Sequence, residues 1–255
     1  MNKQFLVEHL TVQVYPSKQQ VAQVAAAATR DYLQQVIQQR GEANIIFATG
    51  SSQLRFLQAL TALEGIDWSK ITCFHLDEYL GLSATHPASF RHYLAEQITT
   101  KVQPRQFYYI QGDADEPISE CDRYTQLLKS RTLDLCCLGI GENGHLAFNE
   151  PHLADFYDPA LIKLVKLDAT NRQQQVQQGN FPSLDQVPQY AYTLTVPVIC
   201  SAQKILCFAF GTRKANIIQT MLSETVSPAC PASILRHQAQ ASLYLDTEAA
   251  QLVDS

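Results

Sequence analysis

An imidazole, an amide and a carboxylate are crowded onto one glycine-rich turn in the middle of the chain, at His145, Asn149 and Glu150. The turn follows the apolar run 133–138, which predicts a buried strand. Its glycines, which permit left-handed or closely approaching backbone, are Gly139, Gly141 and Gly144. This grouping is typical of acid–base catalysis. Gly-rich turns with a single histidine also occur in α/β proteins without a catalytic role, so this segment alone leaves both interpretations open.

Two further carboxylates, Asp77 and Glu78, follow a second apolar strand pattern over residues 71–76. In open α/β sheets, ligands bind at the edge formed by the carboxyl ends of the strands. A carboxyl group buried there would have a perturbed pKa, as acid–base residues often do. The alternative is structural, because adjacent acidic residues commonly cap the turn that follows them.

A third strand tip carries small and hydroxyl residues. Residues 44–48 (NIIFA), predicted to form a buried strand, are followed by a short turn and then by a helical pattern. The turn consists of Thr49, Gly50, Ser51 and Ser52. Free backbone N–H groups and the helix dipole at such a turn can hold a phosphate group. A tight turn with a serine helix cap would use the same residues, so both interpretations stay open.

These tips must be positioned by the elements before them, and strand and helix patterns alternate along the chain. The predicted strands cover residues 10–15, 44–48, 71–76, 107–110, 133–138, 161–167, 190–196, 204–210 and 243–245. The predicted helices cover residues 16–40, 54–60, 87–98, 116–129, 168–178 and 215–222. No linker-like or repetitive segment interrupts the alternation. The pattern therefore predicts one three-layer α/β domain over residues 1–255.

Composition excludes some classes of function. Of the 255 residues, 46% are hydrophobic and 17% charged, as in ordinary soluble globular proteins. The formal net charge of -5 argues against a nucleic-acid binder or a membrane-surface binder, because both depend on a basic field. An anionic substrate would therefore need locally placed cations.

The seven cysteines indicate buried, reduced thiols. They are odd in number, show no CxxC spacing and mostly lie in apolar runs, which argues against disulfides and against a zinc site. We expect no metal. Residues 1–5 do not begin an apolar signal core, and no stretch approaches the about 18 apolar residues of a membrane span. These features favour a cytoplasmic protein.

Three motifs at strand tips are together similar, in order and spacing, to the glucosamine-6-phosphate deaminases. They are residues 76–82 (LDEYLGL), residues 141–151 (GENGHLAFNEP), and residues 211–215 (GTRKA) together with Val187 and Pro188. The resemblance covers nearly the whole chain. It implies a Rossmann-like, doubly wound α/β fold with a mostly parallel sheet. It also implies conversion of an amino-sugar 6-phosphate and water to a ketose 6-phosphate and ammonia, without a cofactor.

The resemblance assigns roles to individual residues. Asp77 matches the residue that moves a proton between two carbons of the opened sugar, a task for a positioned carboxylate. His145 matches the group that exchanges protons with the ring and anomeric oxygens, which suits an imidazole near neutral pH. Glu150 would orient His145 or tune its charge. Asn143 stands where the best-known members carry an aspartate, and an asparagine cannot stabilise a positive imidazole as a carboxylate does.

Substrate binding, by the same resemblance, falls to Gly141, the turn 49–52 and two cations. Lys214 would act as a point charge on the phosphate group, and Arg172 as a bidentate partner. Taken without the resemblance, Arg172 lies in the Gln-rich segment 168–178, which is typical of a solvated helix face. The expected partner is an amino-sugar phosphate, either glucosamine 6-phosphate or galactosamine 6-phosphate. A homo-oligomer is compatible with the sequence.

Two other functions stay open within the same fold. The 6-phosphogluconolactonases share a Gly-His loop but lack the Phe-Asn-Glu-Pro of residues 148–151. Sugar-phosphate sensors of transcription regulators carry an added helix-turn-helix domain, for which a first strand at Leu10 leaves no room. Residues 152–155 lack the small hydroxyl residues of the family's allosteric site, and Leu161 replaces a basic residue there. We therefore expect an N-acetylamino-sugar phosphate to leave the kinetics unchanged.

Overall fold

The computed structural model describes residues 3–253, which contain eleven strands. They are β1 (Lys3–Val7), β2 (Leu10–Tyr15), β3 (Ala43–Phe47), β4 (Ile71–His75), β5 (Asp77–Tyr79), β6 (Gln106–Phe107), β7 (Leu135–Gly139), β8 (Ile162–Lys166), β9 (Tyr190–Leu194), β10 (Lys204–Ala209) and β11 (Ala241–Asp246). Eight of them form the main sheet, in the order β1-β2-β11-β10-β7-β3-β4-β6. Only β1 pairs antiparallel in it, so the predicted α/β fold with a mostly parallel sheet is confirmed.

Seven helices connect these strands. They are α1 (Lys18–Arg40), α2 (Ser51–Ala62), α3 (Phe90–Leu94), α4 (Pro117–Lys129), α5 (Ala169–Gln177), α6 (Val196–Cys200) and α7 (Ala215–Ser223). α3 continues as a π-helical turn over Ala95–Thr99, and 3-10 helical turns cover Trp68–Lys70, Leu184–Gln186, Thr212–Lys214 and Pro231–His237. Local chemistry sets the ends of α1: the Ser17 hydroxyl accepts from the Gln20 amide, and Gly41 closes the helix in the left-handed conformation. No helix within residues 3–253 is long and apolar enough to cross a membrane.

The alternation of side chains along the central strands produces the three layers. In β3, Ile46 packs into one apolar cluster, whereas Ile45 and Phe47 pack into the other. All three side chains are fully buried. A strand that is apolar on both sides needs helices on both faces of its sheet, which is why Ile45, Ile46 and Phe47 are consecutive apolar residues.

A second sheet of three antiparallel strands, in the order β5-β9-β8, lies outside the main sheet. The sequence predicted strands over residues 161–167 and 190–196 but not this separate sheet. It also missed β1, so the expectation that the first strand lies at Leu10 was wrong. Of the strand predicted at residues 107–110, only Phe107 belongs to a strand, since β6 covers Gln106–Phe107. Residues 1 and 2, part of the predicted segment without a signal core, lie outside the described residues.

The order of the main sheet places two of the candidate turns side by side. The chain runs from β3 outward to β4 and β6, and then returns to β7 on the other side of β3 and continues to β10 and β11. The direction of winding therefore reverses between β3 and β7, at the kind of switch point where open α/β sheets bind ligands. The turn after β3 carries Gly50, and the turn after β7 carries Gly141.

Candidate active site

Gly141 provides the space into which the imidazole of His145 folds. A methyl group at Gly141 would lie 2.3 Å from the ring, so any residue with a Cβ atom here would force the imidazole to move. The backbone closes the turn tightly, because the Gly141 amide donates to the His145 carbonyl over 2.9 Å. Gly144, with φ at 86°, supplies the left-handed step between them. Gly141, which the sequence predicts to bind substrate, is therefore also the residue whose missing side chain leaves room for the His145 ring.

His145, Asn143 and Glu150, three of the residues predicted to be catalytic, form one hydrogen-bonded group. His145 Nδ1 lies 2.8 Å from Asn143 Oδ1 and 3.0 Å from Glu150 Oε1. Asn143 Nδ2 donates to Glu150 Oε2 over 2.5 Å. Because both neighbours of Nδ1 are acceptors, Nδ1 carries the proton in the neutral imidazole, and Nε2 is left with a lone pair. The ring is about one quarter exposed, so this nitrogen can meet a ligand.

Glu150 is held as an anion although it is buried. Burial by itself would raise its pKa, but hydrogen bonds from His145, Asn143 and Asn171, with the charge of His145, lower the pKa to about 2. Asn171 donates to Glu150 Oε1 over 2.8 Å. The sequence analysis missed this asparagine, and the only signal for it was its position beside Arg172 in a segment that begins with a helix cap at Asp168.

Asp77 leads from the main sheet into the second sheet. Asp77 in β5 lies opposite Thr193 in β9 in the antiparallel pairing. The Thr193 hydroxyl accepts a hydrogen bond from the backbone amide of Phe148 in the histidine loop. The ring of Phe148 also packs 5.4 Å from that of Tyr79. These contacts connect the strand of Asp77 to the loop that carries His145.

The carboxyl group of Asp77 is in an unfavourable setting for a charge. Its side chain is 8% exposed, and within residues 3–253 it accepts no hydrogen bond. Burial first, and then the neighbouring carboxylate of Glu78, raise its pKa well above the ordinary value. A group of this kind binds a proton more readily than an exposed aspartate does, which suits a carrier of protons.

Glu78 has the structural role that the sequence analysis kept as an alternative for this pair. It is fully buried and accepts from the Tyr79 amide, the Ser89 hydroxyl and the first amides of α3, those of Phe90 and Arg91. Burial still raises its pKa, and these hydrogen bonds oppose the rise. The two adjacent carboxylates thus divide between two tasks: Glu78 caps α3, and Asp77 is left without a partner.

The turn after β3 opens α2 as expected for an anion site. Gly50, with φ at 95°, stands at the start of α2, where Ser51 and Ser52 form its first turn. A methyl group at Gly139 would lie 2.7 Å from the Ser52 hydroxyl, so the start of α2 lies close to the end of β7, just before the histidine loop. The Gln53 amide donates to the Gly50 carbonyl, whereas the amides of Ser51 and Ser52 have no acceptor within the turn and can face a ligand.

Lys214 ends the 3-10 turn that follows β10. Burial lowers its pKa, while the nearby carboxylate of Glu142 opposes that effect. The turn is anchored at Gly211, whose amide donates to both carboxylate oxygens of Asp246 over 3.0 and 3.1 Å. A half-buried ammonium group on an anchored turn is preorganised for an anion.

Arg172 does not lie free in this structure. Its Nε donates to the Val187 carbonyl, and its Nη2 donates to the carbonyls of Leu184 and Val187. Its role on a phosphate group stays a prediction, and it would require these bonds to be exchanged. In the described part of the chain, no three His, Cys, Asp or Glu side chains are grouped so as to hold a metal ion.

Comparison with known sequences gives a consistent set of relatives. A sequence model of the family described as glucosamine-6-phosphate isomerases/6-phosphogluconolactonase matches residues 16–244. The chain is 35% identical to a glucosamine-6-phosphate deaminase of Listeria monocytogenes serotype 4a over 214 residues, 84% of this chain and 89% of the relative. It is 36% identical to the glucosamine-6-phosphate deaminase of Exiguobacterium sibiricum over 220 residues, 86% of this chain and 85% of the relative.

Solved structures give the same fold. A monomeric glucosamine-6-phosphate deaminase superposes with a TM-score of 0.86 at 32% identity, over 94% of this chain and 99% of its own. A 6-phosphogluconolactonase from Shewanella baltica superposes with a TM-score of 0.77 at 20% identity, over 95% of this chain and 100% of its own. At that identity the second similarity concerns the fold alone.

Proposed function

The chain belongs to the family of glucosamine-6-phosphate isomerases and 6-phosphogluconolactonases, and we propose that it is an amino-sugar-phosphate deaminase. The proposed reaction converts glucosamine 6-phosphate or galactosamine 6-phosphate, with water, to the ketose 6-phosphate and ammonia. The observation that carries the proposal is that the relatives sharing about a third of its residues over most of their length are deaminases. The compared lactonase shares only 20%.

Ring opening is the step we propose for His145. With its Nδ1–H directed at Asn143 and Glu150, the imidazole presents Nε2 as a base. Nε2 can accept the proton of the anomeric hydroxyl and return it to the ring oxygen, which gives the open aldose. The ionised Glu150 supports the imidazolium that forms between the two transfers.

Isomerisation is the step we propose for Asp77. The C2 proton of an open 2-amino aldose is acidic because it lies next to the aldehyde. Asp77 takes this proton to give an enolamine and returns it to C1, while the aldehyde oxygen gains the proton that the amino group gives up. C1 thus becomes a CH2OH group and C2 an imine carbon, and water then replaces the imine nitrogen to leave a ketone and ammonia. A buried carboxyl group with a raised pKa can keep the proton through the transfer, since little water reaches it.

Phosphate binding is proposed for the turn 49–52 and Lys214. The helix start offers backbone N–H groups and the positive end of the helix dipole. Lys214 adds a full positive charge from the turn after β10, which β7 separates from β3 in the sheet. Arg172 is proposed as a second cation that exchanges its bonds to the Leu184 and Val187 carbonyls for the phosphate group. We place the whole activity in one catalytic unit over residues 1–255 and in the cytoplasm, which the seven free thiols favour.

Ammonia release from purified protein tests the proposal. Glucosamine 6-phosphate and galactosamine 6-phosphate are supplied in parallel without added metal or cofactor, and the ratio of the two kcat/KM values identifies the preferred sugar. 6-Phosphogluconolactone is the contrasting substrate. Release of ammonia from either amino sugar supports the deaminase; lactone hydrolysis without ammonia would overturn it in favour of the lactonase.

A further inference from the structure

Asn171 connects helix α5 to the centre of the candidate site. It lies in the first turn of α5, where its backbone amide is capped by Asp168 over 2.6 Å. Its side chain is 6% exposed, although most of α5 is polar and solvated. The only side-chain hydrogen bond it makes within residues 3–253 goes from Nδ2 to Glu150 Oε1 over 2.8 Å. A buried amide on a solvated helix therefore has one polar partner, and that partner belongs to the site.

The donors around Glu150 fix the rotation of its carboxylate. Torsion about the last bond of a glutamate is soft, so a carboxylate needs donors on both oxygens to hold one orientation. Asn143 occupies Oε2, and Asn171 occupies Oε1. His145 Nδ1 approaches the same Oε1 at 3.0 Å. Asn171 thus acts on the oxygen atom that faces the imidazole.

The orientation of the Asn171 amide follows from its partner. An ionised carboxylate only accepts hydrogen bonds, so the NH2 group must face Glu150. Oδ1 is then left buried, with no partner among residues 3–253. Leaving a buried acceptor unpaired is unfavourable. An asparagine at this position therefore requires a compensating contact, and the hydrogen bond from Nδ2 to Glu150 provides it.

We propose that Asn171 is a positioning residue: it orients Glu150 so that His145 stays in the tautomer with Nε2 free. The tautomer of His145 therefore depends on the position of α5, which carries Asn171. The inference rests on the proposed function for its catalytic consequence. The next residue, Arg172, is the proposed phosphate ligand, and it lies on the same helical turn as Asn171, the donor to the Glu150 carboxylate. Binding at one position of α5 and proton transfer at His145 are thereby linked through a single helical turn.

Two substitutions and one matched control test this role. Asn171→Ala removes the donor. Asn171→Asp keeps the shape but replaces the donor by a second acceptor at hydrogen-bonding distance from Glu150. Gln173→Ala is the control, because Gln173 lies exposed on the same helix. Thermal unfolding establishes that each variant is folded.

Two readouts are combined. The first is kcat and KM for ammonia release: misplacement of a catalytic group costs on the order of 10²-fold, so kcat should fall by about that factor in Asn171→Asp, and less in Asn171→Ala, with KM nearly unchanged. The second is long-range ¹H–¹⁵N NMR of His145 at about pH 8.5, above the ordinary imidazole pKa of ~6.5, assigned against a His145→Gln variant. Both Asn171 variants should lose the pure Nδ1–H tautomer, and Gln173→Ala should keep it.

The outcomes separate this inference from the proposed function. Loss of kcat together with a changed tautomer supports the positioning role. An unchanged tautomer in both folded variants would overturn it, whatever happens to kcat, because a merely structural asparagine would not affect the ring. A parent protein that releases no ammonia would overturn the proposed function. The tautomer comparison needs no substrate and would still decide the role of Asn171.

Discussion

Replacement of Asp77 by asparagine should abolish turnover and stabilise the folded protein at the same time. The substitution keeps the size of the side chain and removes only its capacity to take up and return a proton. General acid–base catalysis contributes about 10²- to 10⁴-fold to a rate, so kcat should fall by at least that factor. KM should change little, because the proposed phosphate contacts at the turn 49–52 and Lys214 are untouched.

The gain in stability follows from the setting of the carboxyl group. Burial and the neighbouring Glu78 raise the pKa of Asp77. A carboxyl group with a raised folded-state pKa stabilises the fold fully below its unfolded-state pKa, and this contribution is lost as pH rises through the folded-state pKa. Above that pH the parent holds a buried charge that the variant lacks. Each unit of raised pKa corresponds to about 1.4 kcal/mol, and 1 kcal/mol to a Tm difference of ~2–4 °C in a chain of this size.

The assay is a series of thermal melts of parent and Asp77→Asn between about pH 4 and pH 9, with kinetics near neutral pH. The difference in Tm should be small at the acid end and grow with pH. Glu78→Gln is the matched control: Glu78 accepts four hydrogen bonds that an amide cannot all keep, and this loss opposes the gain from removing its buried charge. The Tm of this variant should therefore rise less, relative to the parent, than that of Asp77→Asn. A Tm of Asp77→Asn that does not exceed that of the parent at the alkaline end would refute the burial argument. Undiminished turnover would remove Asp77 from the mechanism.

Three further predictions concern the rest of the site. Lys214→Ala should raise KM by about 10- to 100-fold, the equivalent of a charged hydrogen bond of ~1.5–3 kcal/mol; an unchanged KM would move the phosphate site elsewhere. Gly141→Ala should cut kcat on the order of 10²-fold, because the new methyl group would lie 2.3 Å from the His145 ring; a variant with parental kcat would contradict this packing. Asn143→Asp would place two carboxylates at 2.5 Å. Their repulsion, ~7 kcal/mol at an effective dielectric constant of about 20, exceeds the ~4 kcal/mol needed to protonate one carboxylate at neutral pH. The pair with Glu150 should therefore hold one shared proton at neutral pH and lose it at higher pH, which adds a limb on the alkaline side of the pH–rate profile; a profile identical to that of the parent would argue against the contact.

Sequence alone predicted the strands of the main sheet other than β1, and it predicted most residues of the candidate site. Continuous apolar runs such as residues 45–48 are buried on both faces of the sheet, and glycines such as Gly41 and Gly50 mark where elements begin and end. These are local signals, carried by a few adjacent residues, so they could be read along the chain. The same holds for the histidine loop, where His145, Asn143 and Glu150 lie within eight residues of one another.

Only the tertiary structure decided how neighbouring residues divide their tasks. Asp77 and Glu78 are equivalent in the sequence, but the donors at the start of α3 reach Glu78 alone and leave Asp77 with a raised pKa. Asn171 reads as part of a polar helix until the fold brings it to Glu150, 21 residues earlier in the chain. The separate sheet of β5, β8 and β9 likewise depends on which strands meet. Hydrogen-bond partners and burial come from residues distant in the chain, and no local pattern of side chains encodes them.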